Sequence, residues 1–264
     1  MCGIAGILQT NGQPASGDVI QSMTDLIAHR GPDGEGHHIV GPLALGHRRL
    51  SSIDLTVAAR QPMLTRDGRY AITYNGEIYN FKEIRDQLLA RGYSFHSSGD
   101  TEVLLAAFAE WGLGALKKLN GMFAFGIWDR STQTITIARD RFGVKPLYYT
   151  ALSGAFLFAS KIKAFRAYPG FTTRMDTEAL AEYLTFQNFF TDRTLFAGVK
   201  LLPAGSYITV ATNGTTSGVR SYWDFHFEEP ATAINERDAL EELDFLFRQA
   251  VSRQLVSDVD VGSY

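Results

Sequence analysis

Residues 123–159 carry four short runs rich in aromatic and β-branched side chains, at 123–128, 134–138, 146–149 and 155–159. Parallel neighbours need a crossover of a dozen or more residues, whereas antiparallel ones need only a tight turn, so runs this close in sequence predict hairpins. Further strands are expected at 43–53 and 70–78, and a short buried one carrying Ile4, Ile7 and Leu8. Helices are expected at 81–90 and 101–111. Another, capped by Asp18, carries Val19, Met23, Leu26 and Ile27 and stops before Gly31-Pro32. The turn-rich His29-Arg30-Gly31-Pro32-Asp33-Gly34-Glu35-Gly36 reads as a loop. Helices and strands fall in separate groups, which makes the class α+β.

The last third is less regular. A helix at 176–186 and a strand at 206–210 are followed by the small, polar stretch 211–218, either a hairpin loop or a boundary. Asn235 can cap a helix whose apolar stripe reads Leu240, Leu243, Phe247, Ala250 and Val251. Val259 and Val261 alternate with polar residues as a strand does. An apolar stripe in need of a partner, followed by an unfinished strand, reads as the front part of something longer. The expected organisation is one domain at 1–210, a linker at 211–235 and the start of a second domain at 236–264.

Charge and composition narrow the function. The 264 residues carry a formal net charge of −3, with no basic patch to favour nucleic acid. The longest apolar runs are too short to cross a bilayer, and the start of the chain lacks the features of a secretory signal. A single cysteine, Cys2, cannot form an intramolecular disulfide, so the expected compartment is the cytoplasm. His29, His47 and His96 show no metal spacing, and His37 and His38 point to opposite faces if extended, so no metal site is expected.

Cys2 is also the residue whose α-amine is freed when Met1 is removed. A thiol and an α-amine have reference pKa values of about 8.5 and about 8, so the amine can take the thiol proton near neutrality, a known way to activate a nucleophile. Against this stands the reading of Cys2 as a small buried residue opening a strand. Taken singly, other residues also have plain structural readings. Asn75-Gly76 is a hairpin-turn signal, Arg49 a surface residue beside Arg48, and Asp100 a helix N-cap. Lys145 reads as a solvated or interdomain lysine.

Seven segments, in order, change that balance: Met1-Cys2-Gly3-Ile4-Ala5-Gly6, His29-Arg30-Gly31-Pro32-Asp33, Gly46-His47-Arg48-Arg49-Leu50, Tyr74-Asn75-Gly76-Glu77-Ile78-Tyr79-Asn80, Ser98-Gly99-Asp100-Thr101-Glu102, Gly121-Met122-Phe123-Ala124-Phe125, and Arg139-Asp140-Arg141-Phe142-Gly143-Val144-Lys145-Pro146-Leu147-Tyr148-Tyr149. Together they resemble the N-terminal-nucleophile glutaminase domain of glutamine-dependent asparagine synthetase. The tail Ser257-Asp258-Val259-Asp260-Val261-Gly262 is similar to the lead-in to that family's synthetase domain.

The resemblance implies a four-layer sandwich, two antiparallel sheets between helix layers, with Cys2 at the end of a central strand. It implies glutamine as substrate and Cys2 as nucleophile. Asn75 and Gly76 become oxyanion donors, Arg49 the holder of the substrate α-carboxylate, Asp100 that of its α-ammonium, and Glu77 a helper at that end. It places no cofactor in this chain. ATP, magnesium and aspartate belong with the missing synthetase half, and a homodimer with the parent family. Two alternatives stay open: a glutaminase feeding a sugar phosphate, phosphoribosyl compound or glycan carboxylate, and a non-catalytic module keeping the fold.

Overall fold

The computed structural model describes residues 1–228 and 235–262. In chain order the strands are β1 Gly3–Gln9, β2 Gly34–Val40, β3 Leu43–Arg49, β4 Met63–Leu64, β5 Tyr70–Ile78, β6 Gly121–Asp129, β7 Thr134–Arg139, β8 Tyr148–Leu152, β9 Ala155–Ala159, β10 Val199–Leu201, β11 Ser206–Ala211 and β12 Arg220–Ser221. The helices are α1 Gly17–Asp25, α2 Phe81–Leu89, α3 Asp100–Trp111, α4 Ala115–Lys118, α5 Thr177–Phe186 and α6 Glu236–Gln254.

Two six-stranded sheets form, ordered β10-β8-β9-β1-β3-β2 and β12-β11-β7-β6-β5-β4, and every pairing of these strands is antiparallel. Alternation along each strand assigns its side chains to two layers. In β1, Ile4 and Leu8 enter a core shared by both sheets with Leu43, Leu45, Ala124, Trp128, Ile135 and Ile137. Ala5 and Ile7 face the other way, onto Ile20, Met23 and Ile27 of the α1 segment. On the outer face of the second sheet, Ile72, Tyr74 and Ile78 pack under α2, α3 and α4. The result is the four-layer α/β/β/α sandwich, with β1 near the middle of its sheet and Cys2 just before its first residue. Phe158 fills the space between sheets: a Cβ on Gly6 or Gly126 would lie 2.1 or 2.4 Å from its ring.

Several local expectations are corrected. Residues 34–40, partly read as loop, form the edge strand β2; Gly36 is there because the backbone passes so close to Gln61 that a Cβ would sit 2.2 Å from its carbonyl oxygen. Ser16 rather than Asp18 caps α1, accepting from the Val19 amide, and Leu26 is left exposed while Ile20 is buried. The strand expected from residue 146 begins at Tyr148. Asn235 does cap α6, accepting from the Arg237 amide at 3.0 Å, but Leu240, Leu243, Phe247 and Val251 are exposed. Val259 and Val261 join no strand among the described residues, since no neighbouring strand offers them a ladder. The 211–218 stretch closes a hairpin-like turn in which the Ala211 amide donates to Thr215 at 2.9 Å. Part of the expected 211–235 linker lies outside the described residues. Among the described residues no helix is long and apolar enough to cross a membrane.

Candidate active site

Cys2 lies where β1 emerges from the sheet, and its sulfur is held by residue 50: the Leu50 amide donates to Sγ at 3.4 Å and the thiol reaches the Leu50 carbonyl at 3.5 Å. Arg30, 8% exposed, donates from Nε to the Cys2 carbonyl at 2.8 Å. Burial pushes the thiol pKa up, against the pull of the Leu50 amide and the terminal amine. Burial also lowers the pKa of that amine, which in this structure belongs to Met1.

Cys2, Arg49, Gly76 and Asp100 line one cavity of about 30 Å³, together with residues 50–53 and Tyr74. That is room for one water molecule. Asn75 adjoins it. Rather than forming a hairpin turn, Asn75-Gly76 sits inside β5, opposite Ala124 and Phe123 of β6. Asn75 shares a strand face with Thr73, whose hydroxyl donates across to Gly46 of the first sheet, so its amide is turned inward between the sheets. It is 1% exposed and its Nδ2 has no hydrogen-bond partner among the described residues. A buried donor left unpaired costs about 1–3 kcal/mol, so it marks a position kept for something other than stability. Gly76 has a packing reason as well as any role toward a substrate: a Cβ there would lie 2.3 Å from the Met122 carbonyl oxygen.

Arg49 is not a free surface residue. Its guanidinium donates to the Thr56 carbonyl at 2.9 Å and to the Asp54 carbonyl, which fastens it to the strap formed by residues 50–59. Asp54 holds the strap's shape with φ of 51° and a carboxylate accepting from the Thr56 amide and hydroxyl and, at 2.8 Å, from the Ser98 amide. Burial would raise its pKa, but the Thr56 and Ser98 donors hold it below the ordinary value. The tail reaches the same strap. Asp258 accepts from the Asp54 amide at 2.7 Å and donates its own amide to the Ser52 carbonyl at 2.8 Å. Ser52 in turn donates to Glu77 at 3.2 Å.

Asp100 opens α3 from within its first turn, and Gly99 occupies the cap position. Its carboxylate accepts from the Tyr74 hydroxyl at 2.7 Å and the Ile78 amide at 2.9 Å. Burial raises its pKa to about 6, moderated by those two donors. Lys145 is neither solvated nor at an open surface: it is 5% exposed, because Asp140 accepts from the amides of Phe142, Val144 and Lys145 and so turns the segment inward. Burial lowers its pKa, opposed by the charges of Glu77 and Cys2. Tyr74, Asp54, Ser52 and Arg30 were not singled out from the sequence as site residues; their roles come from contacts between distant segments, which carry no local signal.

An inward-facing unpaired amide and a half-buried thiol at a strand start thus sit in an antiparallel four-layer sandwich. The chain belongs to the family described as glutamine amidotransferase domain, whose profile matches residues 1–223. It is 37% identical over 272 residues to asparagine synthetase [glutamine-hydrolyzing] 3 of Bacillus subtilis, a match covering 100% of this chain and 43% of that protein. Asparagine synthetase [glutamine-hydrolyzing] 1 of the same organism is 37% identical over 267 residues, covering 100% of this chain and 42% of the relative. Amidase chyE of Penicillium rubens is 33% identical over 278 residues, covering 100% of this chain and 40% of the relative. The chain thus spans about two fifths of the length of the curated relatives it matches. The fold is shared with the glutamine phosphoribosylpyrophosphate amidotransferase of B. subtilis, at a TM-score of 0.60 and 20% identity, over 82% of this chain and 49% of that one.

Proposed function

We propose that the chain hydrolyses glutamine to glutamate and ammonia through Cys2. The observation that carries this is the single cavity lined by Cys2, Arg49, Gly76 and Asp100; the residue before Gly76, Asn75, keeps its amide buried and unpaired. The Cys2 sulfur attacks the side-chain carbonyl carbon and its proton passes to the α-amine freed when Met1 is removed. The carbonyl oxygen takes up negative charge facing the Asn75 amide and the Gly76 N–H, donors in place before the reaction begins. The amine returns its proton to the leaving nitrogen, ammonia departs, and a thioester remains. Water, deprotonated by the same amine, attacks the thioester; glutamate leaves and the thiol is restored.

Arg49 pairs with the substrate α-carboxylate, to which its planar fork is suited, while Asp100 and Glu77 face the α-ammonium. The 30 Å³ cavity is smaller than glutamine, so its walls, the 50–59 strap among them, open as the substrate enters. The ammonia is destined for ATP- and magnesium-dependent amidation of aspartate by a synthetase half; the present match spans 43% of the asparagine synthetase relative. The cytoplasm, where glutamine and ATP are both supplied, is the compartment that suits this chemistry.

The test combines intact mass, a glutamine-like diazo-ketone and the Cys2→Ser variant. The expected results are loss of one methionine, one adduct on Cys2, and no ammonia release by the serine variant. Undiminished ammonia from Cys2→Ser would overturn the reading.

A further inference from the structure

A cavity of about 750 Å³ lies apart from Cys2, which does not line it. It lies beyond Arg30, between the start of β8 and the segment after β9, and its cationic lining is Arg30, Lys161, Lys163 and Arg166. No carboxylate lines it, although the chain as a whole is net negative. None of the four cations is in an ion pair with a carboxylate among the described residues. The most buried of them, Arg30, is held on one side by the Cys2 carbonyl and leaves its Nη2 buried without a hydrogen-bond partner. The Lys163 ammonium meets only the ring of His29, at 3.3 Å. Partial desolvation and the charges of Lys163, Lys161 and Arg30 lower the His29 pKa, which shows how positive this corner is.

Like charges gathered without a counter-charge repel one another, and a buried guanidinium nitrogen without an acceptor adds a desolvation cost. Both costs are removed by a ligand carrying at least two negative charges on compact oxygens. The remaining wall is mostly apolar, with Tyr148, Phe171 and Phe196 on it beside the hydroxyls of Ser160 and Thr173. The volume falls within the range typical of small-molecule sites. We propose that this cavity is a binding site for an organic phosphate, its phosphate groups among Arg30, Lys161, Lys163 and Arg166 and its flat apolar end against the aromatic wall.

Binding is read without catalysis, so this proposal and the glutaminase reading fail independently. Isothermal titration of the full chain with ADP, pyrophosphate and adenosine separates the contributions of charge and ring. ADP is expected to bind one per chain and more tightly than pyrophosphate, with adenosine not detected at about 1 mM. The double variant Lys163→Ala, Arg166→Ala, both exposed positions away from Cys2, is expected to weaken ADP by about tenfold or more. Its unliganded thermal transition, unchanged from the parent, shows that it folds. The proposal is overturned if neither ADP nor pyrophosphate binds, if adenosine binds as tightly as ADP, or if the folded double variant keeps the parent affinity.

Discussion

Asp100 is where stability and activity oppose each other at the level of one side chain. Its folded pKa, raised from an ordinary 3.8 to about 6, means that the native state holds the proton more tightly than the unfolded chain does. The associated stability is therefore complete below pH 3.8, lost as pH rises to about 6, and absent at neutrality, where a buried carboxylate costs on the order of 3 kcal/mol. Asp100→Asn keeps an acceptor for Tyr74 and Ile78 and removes the charge. Urea unfolding at neutral pH should show it more stable than the parent by about 1–3 kcal/mol. The cost should appear in function: with Glu77 the one anion left to face the ammonium, its KM for glutamine should rise. In the parent the same loss should appear on acidification, kcat/KM falling about tenfold for each pH unit below about 6 as Asp100 takes up its proton. A flat profile through that range would remove Asp100 from the binding of the ammonium. Asn75 makes the complementary case. Its Nδ2 supports nothing in the resting fold, so Asn75→Ala should lower kcat by about 10²–10³ while costing about 1 kcal/mol or less in thermal unfolding.

Among the elements, β5 matters most, because its two faces serve two cores and its last third serves the site. Gly76 shows how tightly it is bound to β6: a methyl group placed 2.3 Å from the Met122 carbonyl oxygen and 2.7 Å from the Phe123 Cα has nowhere to go without parting the strands. Gly76→Ala should lower stability by about 3 kcal/mol or prevent folding, read by the thermal midpoint and by the recovery of soluble protein.

β5, the helices beneath it and the four closely spaced strands were legible in the sequence, because alternation and turn spacing are local properties. Taken singly, Asn75-Gly76 signals a turn, but the strand expected at 70–78 carries both residues, since strand partners decide where a glycine sits. The same local logic misread residues 34–36 as loop, the glycine at 36 serving close approach to Gln61 rather than reversal. The candidate residues Cys2, Arg49, Asn75, Gly76, Glu77 and Asp100 were legible through motif order. Their positioning partners were not: Tyr74 reaches Asp100 across 26 positions and Arg30 reaches Cys2 across 28. Lys145 looked solvated because nothing in its neighbours announces that Asp140 turns that segment inward.

Over the described residues, the sandwich buries its apolar faces on both sides, and α6, like α5 with Leu184 and Phe186 exposed, is an exception. Leu243 and Phe247 are 62% and 66% exposed on a helix with no buried residue, although the Arg253 guanidinium lies 3.7 Å from Glu83 of α2. A continuous apolar stripe in water favours self-association. Light scattering after size-exclusion chromatography should show the chain as a dimer or larger at high concentration. Leu243→Lys with Phe247→Lys should return it to monomer without altering glutamine hydrolysis.

The contact between Asp258 and the amide of Asp54 joins positions 204 residues apart. That single proton is therefore a gauge of the strap. In deuterium exchange, Asp54 should take up label slowly in the intact chain and quickly after trypsin cuts behind Arg253, and the nicked protein should admit glutamine faster. Tension on the tail behind α6 is thereby transmitted to the entrance to the thiol.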